Sequence, residues 1–237
     1  MDYLTPQVKA ELMNAIEDLS LSDYTENDFI NIMEESMVPL QQFFSYYKCA
    51  IMEVETKFKV LNEQFSVKSE SNPIEFISSR VKSYGSIMRK MVKKDIPRNL
   101  GSLEDNIYDI AGIRVVCSFI QDIYKLADCL LQQDDITLIK MKDYIQNPKP
   151  NGYRSLHLIV EVPIFLENEK RPVKVEVQLR TIAMDFWASL EHKLRYKKNL
   201  SQEKLDMLAA DLKKCADDSA QWDRKMQSIK NILSEEE

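Results

Sequence analysis

Eight apolar residues, Leu40, Phe44, Tyr47, Ile51, Val54, Phe58, Leu61 and Phe65, follow one another in steps of 4, 3, 4, 3, 4, 3 and 4. A stripe with a period near 3.5 permits only a helix with one covered face. At about 1.5 Å per residue that helix is roughly 40 Å long. Two occupants of the face remain open: the helix's own domain, or a second subunit. A charge in the stripe, as in Ile51→Glu, is expected to lower the assembled mass if the second holds.

The surrounding pattern predicts helical arms around a mixed centre. A helix runs from Thr5-Pro6 toward Leu19, and residues 20–27 form a polar connection. Asn72-Pro73 with Glu75 reads as a capped start for a helix over residues 73–94. Strands follow over residues 113–119, 136–142, 154–163 and 172–180, with an amphipathic helix over 121–133 and an Asn151-Gly152 turn. Two helices, 181–197 and 201–233, end the chain. The expected fold class is α/β (α+β), a mixed sheet of about five strands flanked by helices. Its expected divisions are an N-terminal helical region, 1–72, a central domain, 73–198, and a C-terminal helix, 199–237.

Composition removes several function classes. The four glycines, Gly85, Gly101, Gly112 and Gly152, build neither a G-x-G-x-x-G nor a P-loop motif. A net charge of −6, from 32 basic and 38 acidic residues, argues against a duplex nucleic-acid binder but leaves room for a local phosphate pocket. The four cysteines form no C-x-x-C pair, so buried free thiols in a reducing compartment are expected. No targeting segment is visible at Met1-Asp2-Tyr3, and the longest apolar stretch, residues 110–120, contains Arg114. A cytoplasmic protein with no membrane span is the expectation.

Three regions hold candidate chemistry. Along residues 173–180, Val173, Val175, Val177 and Leu179 alternate with Lys174, Glu176, Gln178 and Arg180. The polar face is either a solvated surface or a rigid active-site floor. Asp109 stands just before the strand at 113–119, where it is a turn residue or, with Glu176, one of two carboxylates for Mg2+. Between Arg80 and Arg98 lie seven basic residues against one acid, Asp95. Such a run is a solvated helix face or a site for a triphosphate, with Arg114 approaching from the next strand. The segment Asn151-Gly-Tyr-Arg-Ser-Leu-His157 sets Tyr153 beside one of only two histidines. It is a turn with a core histidine, or a place where a base meets an aromatic ring.

Asp109-Ile-Ala-Gly-Ile-Arg114, Asn151-Gly-Tyr-Arg-Ser-Leu-His157 and Val175-Glu-Val-Gln-Leu-Arg-Thr181, in that order, resemble the synthetase domain of the RelA/SpoT alarmone enzymes. Arg80-Val-Lys-Ser-Tyr-Gly-Ser86 and Phe186-Trp-Ala-Ser-Leu-Glu-His192 extend the likeness over roughly residues 73–198. Length and flanking helices are similar to the small RelQ-like synthetases. The resemblance implies a nucleotidyltransferase-like fold and a GTP pyrophosphokinase activity, moving the β,γ-pyrophosphate of ATP to the 3′-hydroxyl of GTP or GDP. It implies Mg2+ on Asp109 and Glu176, with Glu176 also taking the hydroxyl proton. It implies ATP contacts from Arg80, Lys82, Ser86, Lys90 and Arg114, and acceptor contacts from Tyr153, His157, Gln178 and Lys149. It further implies a homotetramer whose cleft, near Phe76, can take the pppGpp or ppGpp product as an activator.

Larger members of that family add a hydrolase with His-Asp metal ligands. This sequence has no His-Asp dipeptide, so synthesis alone is expected. Two other readings stand beside it: a toxin-type pyrophosphokinase acting on adenine nucleotides or tRNA, and an inactive nucleotide-binding regulator. The negative net charge weakens the tRNA reading, and the intact carboxylate pair weakens the regulator.

Overall fold

The strict alternation around Glu176 becomes a central strand in the computed structural model, which describes residues 26–68, 72–97, 100–195 and 202–235. The strands are β1 (Ile74–Val81), β2 (Ala111–Cys117), β3 (Thr137–Asp143), β4 (Leu156–Phe165) and β5 (Lys170–Thr181). They form one mixed sheet in the order β1-β2-β5-β4-β3. Only β2 and β5 run parallel; the other neighbours are antiparallel. The helices are α1 (Glu26–Lys68), α2 (Tyr84–Lys93), α3 (Leu100–Asn106), α4 (Ile120–Leu131), α5 (Ile182–Arg195) and α6 (Gln202–Glu235).

Val173, Val175, Val177 and Leu179 of β5 are buried, as are Leu156, Leu158, Val160 and Val162 of β4. The amphipathic helix α4 adds Ile123, Leu126, Ala127 and Leu130, a one-sided set at helical spacing. Fully burying each large aliphatic side chain contributes roughly 1.5–3 kcal/mol. The opposite face of the sheet keeps the polar members of the alternation.

The chain falls into two units, Met1–Phe44 and Ser45–Glu237, and α1 begins in the first. Within the second unit, Tyr47, Ile51, Val54, Phe58, Leu61 and Phe65 are buried inside the single chain. Lys125 of α4 lies 4.3 Å over the Phe65 ring, and Lys57 pairs with Asp135 at 2.5 Å. This part of the stripe covers its own domain. Ile51→Glu therefore puts a charge into core and tests folding rather than assembly. The helix expected from Thr5 toward Leu19 lies outside the described residues.

One expectation is overturned. Residues 73–94 form a strand and a shorter helix rather than one helix. Asn72 precedes a proline, which disfavours helical backbone at that position, and Ile74, Ile77 and Val81 are β-branched. Pairing with the open edge of β2 supplies β1 with a hydrogen-bond ladder, starting beside Ser118 N–H on the Pro73 carbonyl (3.2 Å). Glu75 accepts from the Ser118 hydroxyl at 2.6 Å instead of closing a capping box. Phe76 consequently sits on a strand. The short α3 was not foreseen. All four cysteines are free, yet only Cys117 is fully buried; Cys215 is exposed because it falls on the solvent side of α6. Among the described residues, no helix is long and apolar enough to cross a membrane.

The C-terminal helix is stitched to α5, α4 and the end of β5. Trp187 Nε1 donates to the Leu212 carbonyl (2.7 Å), Lys230 pairs with Asp122 (3.0 Å), and Thr181 Oγ1 donates to Asp223 Oδ2 (2.6 Å). Burial pushes the Asp223 carboxyl above its ordinary value, against the Thr181 hydrogen bond and the Arg154 and Arg224 charges. A carboxyl that binds its proton more tightly when folded stabilises the fold below about pH 4, and that contribution fades as pH rises through the raised value. Asp223→Asn keeps an acceptor for Thr181 and removes the buried charge. Its melting temperature should equal or exceed wild type at pH 7, with a flatter profile between pH 4 and 7. A large loss at pH 7 would contradict this.

Candidate functional site

Strand register brings the polar residues into two rows. Arg80, Gly112, Glu176, Ile159 and Lys140 pair in turn across the sheet. The next row is Ser78, Arg114, Gln178, His157 and Lys142. Paired residues share a face, so both rows look outward from the same side.

Two cavities open along these rows. One, of about 210 Å³, is lined by Arg80, Asp109, Arg114, Glu176 and Gln178 among others. The second, of about 330 Å³, is lined by Lys90, Lys94, Lys140, Lys142 and His157, and again by Asp109 and Glu176. The two carboxylates thus stand where two cationic chambers meet. A third cavity, about 310 Å³, lies near Tyr46, Glu104, Arg171 and Lys174. Its cations are engaged: Arg171 pairs with Glu104 at 2.7 Å and Lys174 donates to the Glu104 carbonyl at 3.2 Å.

Asp109 Oδ2 accepts from Lys82 Nζ (2.6 Å) and Lys90 Nζ (2.7 Å). Burial would raise this carboxyl, but the two ammonium groups outweigh it and hold Asp109 below the usual carboxylate range. Its other oxygen, Oδ1, is buried and has no hydrogen-bond partner among the described residues. Glu176 Oε1 contacts His157 Nδ1 at 3.1 Å, and Oε2 accepts from Gln178 Nε2 at 2.8 Å. Burial again pulls upward and the Asp109 charge adds to it. The His157 and Gln178 contacts prevail, so Glu176 too lies below its ordinary value. Both groups are carboxylates at neutral pH. Among the described residues, no cluster of three or more His, Cys, Asp or Glu side chains could hold a metal ion. A pair of ionised carboxylates, one with an orphaned buried oxygen, suits Mg2+, which takes few protein ligands and completes its shell with phosphate and water.

The expected donor-side residues divide. Arg80 and Arg114 line the smaller cavity, and Lys82 reaches its edge through Asp109. Lys90 lines the larger one instead. Ser86 stands back, its hydroxyl bonded to Ser83 (2.9 Å) and Arg89 (3.1 Å). Arg80 and Lys82 leave the end of β1, not a helix, which aims them at the sheet face. On the acceptor side, Gln178 and His157 line the cavities. Tyr153 is half-buried beside them, its hydroxyl 2.8 Å from His157 Nε2. Lys149 Nζ lies 4.6 Å over both the Tyr153 and Tyr144 rings. His192 is exposed on α5.

Sequence reasoning assigned no role to Lys94, Lys140, Lys142, Tyr144, Arg180 or Asp185. The Lys-x-Lys alternation of residues 140–142 was the available signal for two of them. Asp185 gave none, because its role depends on Arg180 (3.0 Å) and Arg114 (3.2 Å) from two different strands.

The turn bearing Tyr153 is held by α6. Arg154 donates to the Gly152 and Ala216 carbonyls (3.0 and 3.2 Å) and to Asp217 (3.1 Å). Gly152 has φ +90°, and a Cβ there would lie 2.5 Å from the Ala216 Cβ. Gly152→Ala combines left-handed strain with that clash, so a stability loss of about 1–3 kcal/mol is expected. Ala216→Gly in the same chain should recover part of the loss and not all of it. Denaturant midpoints of the two single variants and the double variant measure this, and strictly additive losses would remove the proposed contact.

The family model described as "Region found in RelA / SpoT proteins" matches residues 79–201. The chain is 48% identical over 184 residues to the GTP pyrophosphokinase YwaC of Bacillus subtilis, covering 78% of this chain and 87% of that one. It is 34% identical over 195 residues to GTP pyrophosphokinase YjbM of the same organism, covering 82% and 90%. Among solved structures, small alarmone synthetase 2 of B. subtilis superposes with a TM-score of 0.71 at 44% identity, over 81% of this chain and 98% of that one. Small alarmone synthetase 1 of B. subtilis bound to its product pppGpp gives 0.74 at 33% identity, over 83% and 98%.

Proposed function

The chain belongs to the RelA/SpoT family, and we propose on that premise that it is a (p)ppGpp synthetase transferring the β,γ-pyrophosphate of ATP to the 3′-hydroxyl of GTP or GDP. One observation supports this above the others: two cationic cavities share a single pair of ionised carboxylates, Asp109 and Glu176. Two polyanionic nucleotides need separate cationic chambers and one meeting point.

In this reading Arg80 and Arg114 hold the ATP phosphates from the smaller cavity, with Lys82 and Lys90 alongside and Ser86 at the margin. Lys94, Lys140 and Lys142 face the acceptor's 5′-phosphates from the larger one. Tyr153 stacks on guanine, and Lys149, His157 and Gln178 help hold the acceptor. Asp109 and Glu176 would hold Mg2+, which when bound neutralises charge on the migrating pyrophosphoryl group. Glu176 takes the proton as the 3′-oxygen forms its bond to the β-phosphorus. The bond from that phosphorus to the α,β-bridging oxygen breaks, and AMP leaves. The His157 and Gln178 side-chain contacts of Glu176 keep it ionised and therefore able to accept that proton.

Residues 73–198 are the catalytic division in this reading, with helical regions at 1–72 and 199–237. The homotetramer is also part of it, and its support has moved. Exposed apolar residues repeat along α5 at Ile182, Phe186, Leu190 and Leu194, and along α6 at Trp222, Met226, Ile229 and Leu233. Phe76 is half exposed on β1, available to the alarmone cleft expected from the family. Light scattering should give about four chain masses of 27.7 kDa, and Trp222→Glu should lower that mass. A monomeric wild type at every concentration would remove the tetramer and its cleft together.

Chromatography of products from ATP, GTP and Mg2+ tests the activity. Glu176→Gln and Asp109→Asn should each fold and lose on the order of 100-fold or more in rate. Tyr153→Ala should weaken the guanine nucleotide by about 1–3 kcal/mol and ATP far less. Products confined to adenine nucleotides would favour the toxin-type alternative; no product would favour the inactive regulator.

A further inference from the structure

Two arginines on neighbouring strands share one carboxylate oxygen. Arg180 Nη1 donates to Asp185 Oδ1 at 3.0 Å, and Arg114 Nη1 pairs with the same oxygen at 3.2 Å. Among the described residues, neither arginine pairs with any other acid. Arg180 is 5% exposed and the Asp185 side chain 14%. Two like charges gathered that far from water need the anion between them. We propose that Asp185 is a positioning residue that couples the two nucleotide chambers, so that a nucleotide bound in one changes the affinity of the other.

The two guanidinium groups serve different chambers. Arg114, on β2, lines the smaller cavity, where the donor's phosphates are placed. Arg180, on β5, reaches the acceptor side: its Nη2 donates to the Tyr153 hydroxyl oxygen at 2.6 Å and to Gln178 Oε1 at 2.9 Å. Asp185 stands in the first turn of α5, and α5 packs on both of those strands. One rigid element thus carries the carboxylate to the seam between donor and acceptor.

Arg114 has two destinations for its charge, Asp185 and the donor's phosphates, and this choice is the two-state element that coupling requires. With no donor bound, one oxygen serves two guanidinium groups. When a polyphosphate takes up the Arg114 charge, Asp185 Oδ1 serves Arg180 alone. Arg180 then holds the Tyr153 hydroxyl and the Gln178 carbonyl more firmly, and guanine meets a better-ordered platform. Burial disfavours the Arg114 charge, Arg180 adds to that, and Asp185 opposes both. Without Asp185 the two cations repel directly, and the donor's phosphates draw Arg180 away from Tyr153. Among the described residues, the Nε of each arginine is buried with no hydrogen-bond partner, so neither has a second set of acceptors to fall back on. Asp185 touches neither nucleotide in this arrangement; it acts through Arg114 and Arg180.

The inference rests on reading the two cavities as donor and acceptor chambers, but its test needs no turnover. GTP is titrated calorimetrically into the full chain with Mg2+, with and without a saturating ATP analogue that carries a methylene group in place of the α,β-bridging oxygen. Wild type should bind GTP about fivefold or more tighter with the analogue present, and the reverse titration should give the same factor. Asp185→Asn should bring that factor to one or below, which a merely structural loss of stability would not do. Should Asp185→Asn fail to fold, Arg114→Gln decides. It takes one cation from the cluster and leaves Asp185 to Arg180, so GTP alone should bind as in wild type while the analogue no longer tightens it. A wild-type factor of one overturns the proposal, as does a factor that survives in either variant. Coupling in a chain that makes no alarmone would support the inference and overturn the activity; alarmone synthesis without coupling would do the reverse. A chain that binds no GTP overturns both.

Discussion

The parallel pairing of β2 with β5 is the constraint on which the site depends. It sets Gly112 opposite Glu176 and Arg114 opposite Gln178. Antiparallel partners on either side then add Arg80 and Ser78, and His157, Lys140 and Lys142. Side chains alternate with a period of two, so a slip of one residue would turn this whole set into the core and bring the valines out. The buried valines and Leu179 forbid that slip. The hydrophobic effect on one face thereby positions the chemistry on the other.

Electrostatics at the site run against the rest of the molecule. A chain of net −6 concentrates lysine and arginine around two carboxylates that meet in the middle. Those carboxylates stay ionised because donors surround them, Lys82 and Lys90 on Asp109 and His157 and Gln178 on Glu176. The cations are in turn kept from repelling one another by Asp185, which lies between Arg114 and Arg180. Burial weakens the proton affinity of Arg114, and the Arg180 charge weakens it further. The whole is a lattice of alternating sign within a chain whose overall charge is acidic.

Much of this was legible in the residues. Period-two alternation marked β5, an amphipathic pattern marked α4, and the stripe from Tyr47 to Phe65 marked α1. Its occupant was not legible, since a period of 3.5 is the same for a neighbour in the chain and for a neighbour in another. β1 was misread for a related reason: an edge strand owes its conformation to the strand beside it, which its own sequence does not contain. Asp109 and Glu176 stood out by residue type and by resemblance. Arg180 was placed on the correct face but given no task. Its hydrogen bonds to the Tyr153 hydroxyl, the Gln178 amide and Asp185 exist only after folding.

The grip of α6 on the turn at Gly152 and Arg154 also has a bearing on time. Arg154 waits for Ala216 and Asp217, more than sixty residues later in the chain. During synthesis β1 to β5 leave the ribosome before α6 does, since they precede it in the chain. The turn that presents Tyr153 acquires its outer support last. A chain without α6 would lack the Ala216 and Asp217 partners of Arg154, leaving the turn at Gly152 without that brace.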